Sequence, residues 1–129
     1  MILPVLALIT AGVGQASAPD PAVLAYMNCV SNGANEAEAQ TRGVPNKPAP
    51  DDVFDAAEAR CQPLYQAAIS AFYATTMKTD EVQAYVRGKD ENEVRAEVEA
   101  GLRDSLRDRI LTNISLLRSE GAGNSHAQH

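Results

Sequence analysis

Tryptophan is absent from this sequence, and histidine, cysteine and phenylalanine occur only twice each. Both histidines, His126 and His129, stand at the extreme C-terminus, in the small, polar stretch EGAGNSHAQH. A general base must be held in place by a fold, so Ser–His–Asp and Cys–His catalysis find no support here. Two imidazoles three residues apart make a weak metal site at best. There is no glycine-rich phosphate loop, and basic side chains are scarce, 11 against 17 acidic for a net charge of −6. The arginines late in the chain alternate with Asp and Glu. With no basic patch, an acidic surface excludes nucleic acid and anionic lipid as partners. A long apolar run is missing too. Met1 to Gly14 carries no charged side chain, yet it falls short of the ~20 residues a bilayer core requires.

That first stretch matches an export leader. A short apolar core leads to Ala16-Ser17-Ala18, and signal peptidase accepts only small side chains at the first and third of those positions. The pattern predicts a signal peptide over 1–18, cleavage after Ala18, and no membrane insertion of the mature chain that begins at Pro19. An exported chain with two cysteines predicts one disulfide, Cys29–Cys61, and a periplasmic or secreted location.

The rest of the chain reads as all-α, a small bundle of three to four helices over 19–119 followed by a disordered tail over 120–129. Asp20 as cap and Pro21 at the first helical position open a helix over 21–42. Its apolar face is Val23, Tyr26, Met27, Val30, Ala34 and Ala37, at steps of three and four. Gly43 and Pro45 end it. Asp51 is the cap candidate for a second helix with the stripe Phe54, Ala57, Cys61, Tyr65, Ala68 and Phe72. Pro63 predicts a kink or break near 60–63.

Gly88 as a stop and Asp90 with Glu93 as a capping box predict a short helix over 80–87 and a long one over 91–119. A single helix over 80–119 is the alternative. The long helix carries Val94, Val98, Leu102, Leu106, Ile110 and Ile114, each four apart. At 3.6 residues per turn such a stripe creeps around the cylinder, so its two ends face different neighbours. Cys29 and Cys61 lie on the apolar faces of the first two helices, which predicts an antiparallel hairpin clamped by the bridge. Both read as mid-helix residues, the wrong setting for a catalytic dithiol.

Two charged stretches remain. Asp90, Glu91, Glu93, Glu97 and Glu99 are an acidic cluster. Acid–base work there would need burial to separate two carboxyl pKa values, and the spacing is not that of an EF-hand loop. Arg103, Asp104, Arg107, Asp108 and Arg109 read as weak opposite-sign pairs along one exposed helix. Asn113-Ile114-Ser115 fits a glycosylation sequon within a helix.

The plan of leader, small all-helical domain and one long-range disulfide is similar to that of the periplasmic acid-stress chaperones of Gram-negative bacteria. Those proteins carry Trp-Thr-Cys at their first cysteine where this chain has MNCV, so the likeness carries over no site residue. It implies client binding at low pH, where protonation of the carboxylates moves the net charge from −6 toward 11 + 2 = +13. The residues themselves point first to an exported, non-enzymatic helical protein that binds another protein, or a second copy of itself, through an apolar helix face or groove. No cofactor, metal or catalytic residue is assigned. The alternatives are the acid-stress chaperone and a small enzyme or metal-binding protein built on the acidic cluster.

Overall fold

The computed structural model describes residues 19–127, with side chains over 19–120. The expected leader and His129 lie outside those residues, and the side chains of 121–129, His126 among them, are not described. The described chain is all-helical: α1 (Pro21–Gln40), α2 (Pro50–Arg60), α3 (Gln62–Thr76), α4 (Asp80–Val86) and α5 (Glu91–Ala127). Five helices replace the three to four expected, because the second expected helix divides at Cys61 and the region 80–119 divides at Gly88.

Each boundary has a local cause. The Asp20 carboxylate accepts the Ala22 amide at 2.8 Å, and Pro21 follows at a position whose missing N–H costs nothing. The α1 helix stops at Gln40 rather than at 42. The Thr41 hydroxyl donates to the Ala37 carbonyl, and Gly43 takes φ +82°, a left-handed turn that side chains disfavour. Asp51 does not cap α2. Ala49 holds the cap position and Pro50 the first helical one, which places Asp51 and Asp52 in the first turn, against the positive end of the helix dipole.

Pro63 breaks the chain where its missing amide demands. Cys61 ends α2, at φ −100° and ψ 7°, and α3 begins at Gln62. Gly88, at φ +81°, separates α4 from α5, and the Asp90 carboxylate accepts the Glu93 amide at 3.3 Å as the new cap. The α5 helix continues past the expected end at 119. No proline follows, and Gly121 and Gly123 weaken a helix by only about 1 kcal/mol each.

The core forms where these helices meet. Cys29 and Cys61 lie at bonding distance with Cα atoms 6.0 Å apart. Beside them Gly33 faces Ala57 so closely that a Cβ on Gly33 would stand 3.2 Å from the Ala57 Cβ. Contacts on α1 therefore descend as those on α2 and α3 rise. The α5 helix crosses all three. Leu106, Ile110 and Ile114 join Tyr26, Val30, Ala34, Phe54 and Ala57 in the main cluster. Leu102 meets Val23 and Ile69, while Val94 and Val98 pack under Phe72, Tyr73, Met77, Tyr85 and Val86. All six residues of the α5 stripe are buried, and its ends do face different neighbours. At about 1.5–3 kcal/mol per buried aliphatic side chain, this stripe contributes most of the docking of α5, before ordering entropy is subtracted.

With a sequence separation of 32, the bridge constrains the unfolded chain by about 3 to 4 kcal/mol in the chain-entropy treatment. Urea unfolding of the Cys29→Ala/Cys61→Ala variant should show a loss of that order. An unchanged midpoint in protein whose native bridge is verified by mass would contradict it.

Candidate functional site

Polar chemistry in the described structure concentrates along the seam where α5 lies against α1 and α2. Its centre is Glu58 on α2, 8% exposed. Arg103 on α5 clasps it with both prongs, Nε to Oε2 at 2.8 Å and Nη2 to Oε1 at 2.7 Å. Tyr26 on α1, fully buried, donates its hydroxyl to Oε2 at 3.2 Å. Three helices thus converge on one carboxylate. The Arg103 guanidinium holds the Glu58 carboxyl below the usual carboxylate range, against the opposing effect of burial. Burial, with the Glu58 charge beside it, pushes the Tyr26 phenol far upward. The Tyr65 ring, edge-on to Tyr26 at 5.4 Å, is also raised by burial and then by Glu99.

The seam continues one turn along. Arg107 Nη2 reaches Asp51 Oδ1 at 2.6 Å, its Nη1 lies 3.5 Å from Asp55, and its guanidinium sits 5.3 Å from the centre of the Phe54 ring. At the far end Arg118 Nε donates to Glu38 Oε1 at 2.6 Å, and its Nη2 to the Pro48 carbonyl at 2.8 Å. Glu38 is 6% exposed. Between these points Asn113 donates to Asn35 at 2.9 Å, which occupies the amide of the sequon.

Arg103 and Arg107 of RDSLRDRI therefore do not serve as pairs within one exposed helix. Arg103 and Arg107 reach across to α2 instead of to Asp104 and Asp108. The physical reason is that Leu102 and Leu106 set the buried face, and the next residue along in each case emerges at its edge, within reach of the α2 carboxylates. Glu58 and Glu38 were not singled out by spacing. The available signal was their place among the apolar positions: Glu58 follows Ala57, and Glu38 stands four residues after Ala34.

The acidic cluster does not converge on a site. Asp90 serves as a cap, Glu91 and Glu93 are exposed, and Glu99 is half-buried. Glu97 lies 3.7 Å from Lys89, with its Oε2 buried and without a hydrogen-bond partner. Among the described residues no three metal-ligating side chains come together, and no helix is long and apolar enough to cross a membrane. Cys29 lies mid-helix in α1, as expected, but Cys61 does not. Cys61 is the junction of α2 and α3. Its 2% exposure keeps reagents from it, while Cys29 is half-buried.

The second polar–apolar feature is the outer side of distal α5. Leu116 is 56% exposed and Leu117 39%, although Ile114 beside them is fully buried. Two shallow, open hollows flank Leu116, one bounded by Asp108, Arg109, Thr112 and Asn113, the other by Leu111, Ser115 and Ser119. Such surfaces suit contact with another macromolecule better than enclosure of a small ligand. Neither a family model, a curated protein nor a solved structure matches this chain, so no relative supplies a function.

Replacing Glu58 by Ala leaves Arg103 half-exposed and the Tyr26 hydroxyl without its acceptor. Because Arg103 can still reach water, the loss should fall at about 2 to 4 kcal/mol, near the lower end for a broken buried pair. Glu91→Ala, on the exposed start of α5, should change stability by less than about 0.5 kcal/mol. Chemical denaturation of the two variants checks the contrast, and equal losses would contradict it.

Proposed function

We propose that this chain is an exported, non-enzymatic helical protein that binds another protein through the outer side of distal α5. The observation that carries the reading is the exposure of Leu116 on the side of α5 opposite Ile114 and Arg118, with Leu117 exposed at the edge beside Ile114. A rigid helix presenting adjacent leucines loses little entropy when it meets a partner, which favours such a face as an anchor. The polar residues around it, Asp108, Arg109, Asn113 and Ser119, form the kind of rim that surrounds an apolar contact. Export rests on the Ala16-Ser17-Ala18 leader pattern together with the paired cysteines, and the location is periplasmic or secreted. The molecule works as an antiparallel helical hairpin of α1 against α2 and α3, clamped by Cys29–Cys61, with α5 laid across it. The partner is a protein, and a second copy of this chain is one form it can take.

A photo-crosslinking side chain in place of Leu116, used in the native envelope, tests the reading. It should give one discrete adduct that a matching probe in place of Asn92 does not give. Leu117→Asp should abolish that adduct without shifting the unfolding midpoint. An adduct of twice the chain mass identifies a second copy as partner. Identical adducts from both positions, or none from Leu116, would overturn the proposal.

A further inference from the structure

Among the described residues, every ion pair that joins two helices runs in one direction: the carboxylate stands on α1 or α2 and the guanidinium on α5. The cation of each pair, Arg103, Arg107 or Arg118, keeps its charge at any pH a protein meets. The anion at the centre of the seam, Glu58, does not. We infer that acid opens this molecule at one seam. As the Glu58 carboxylate at the centre of the seam takes up its proton, α5 leaves the disulfide-linked α1–α2–α3 unit and its stripe from Val94 to Ile114 comes out into water. This device is independent of the distal-face reading above.

The groups around each carboxylate fix what acid does. Glu58 is faced by Tyr26 from α1, Tyr65 from α3, and Arg103 and Arg107 from α5. The phenols stay neutral in acid, so only the arginines respond to loss of the Glu58 charge. Glu38 is faced by Arg118 from α5 and the Thr41 hydroxyl. Asp51 and Asp55 are faced by Arg107. With Glu58 neutral, Arg103 keeps its charge beside Tyr26 and Tyr65 without its counter-charge, and Arg107 stands one turn away as a like charge. The bond between Cys29 and Cys61 does not titrate, and it joins α1 to the junction of α2 and α3 while nothing covalent ties α5 to either. The seam is the part that acid weakens, and the clamp is the part that it spares.

The window follows from Glu58. A carboxyl held below its ordinary value of 4.5 contributes stability that is fully present above that value and is lost as pH falls through the lower, folded one. Opening therefore belongs below pH 4.5 and not near pH 6.

Hydrogen exchange followed by mass spectrometry on the full chain with its disulfide formed, titrated from pH 6 to pH 2 and corrected for intrinsic rates, tests the inference. Amides of 94–114 should lose protection by about tenfold or more at a higher pH than those of 23–38 and 53–60. The Glu38→Gln/Glu58→Gln variant should move the α5 transition upward by about a pH unit or open α5 at neutral pH, while Asp104→Asn leaves it in place. The wild-type titration decides alone if the double variant does not fold. Loss of protection in all helices at one pH, or α5 still protected at pH 2, would overturn the inference.

Discussion

The Glu58 carboxylate is the point on which the arrangement of helices turns. Apolar stripes bring α5 against α1, α2 and α3, but a stripe of residues spaced by four can slide by a turn and still bury the same kind of surface. A buried carboxylate cannot tolerate that slide. Moving α5 by one turn one way would set Glu99 against Glu58, and the other way would set Arg107 there; either slide carries Arg118 away from the buried Glu38 and leaves a charge in the core without its counter-charge, at a penalty of several kcal/mol. The fork of Arg103 and the hydroxyl of Tyr26 therefore fix α5 on α2 and α2 on α1 at a single register. Arg107 and Arg118 extend the same register along the helix, from Asp51 at one end of α2 to Glu38 near the end of α1.

The disulfide and the seam divide the work of holding the fold. The bridge at Cys29 and Cys61 acts on the unfolded chain and is blind to pH. The seam acts on the folded chain and responds to pH through Glu58. The Gly33–Ala57 contact lets α1 and α2 approach closely at the level where Tyr26, Phe54 and Ile114 fill the core. A domain without tryptophan thus packs by close backbone approach and many small side chains. The exposed leucines of distal α5 lie beyond the seam's centre, on the side that the core does not need.

Much of this architecture is legible in the sequence, and the reasons for the rest are local. The α5 stripe stands out because six aliphatic residues at a constant step leave no other face to bury. Gly88 and Asp90 mark the α4–α5 boundary because a left-handed turn and a cap each demand a particular residue type. Pro63 marks a break, but only the packing decides that Cys61 becomes the junction itself. The start of α2 is misread at Asp51 because Pro50 competes for the helix start and a proline is satisfied there without any side-chain cap. The seam is the least legible part. Arg103 and Arg107 have acidic neighbours three and four residues away, which suffice to explain them locally. That Glu58 and Glu38 are their partners depends on how three helices are placed together, and no periodicity within one helix contains that.

A double-mutant cycle on Glu58 and Arg103, using Glu58→Gln, Arg103→Gln and the pair together in chemical denaturation at neutral pH, tests most directly whether this pair holds α5 in register. The account predicts a favourable coupling of about 1 kcal/mol or more, larger than the 0.2 to 0.5 kcal/mol of exposed helix pairs, falling toward zero when the cycle is repeated at pH ~2. A coupling near zero at neutral pH, with both single variants as stable as the parent, would contradict it.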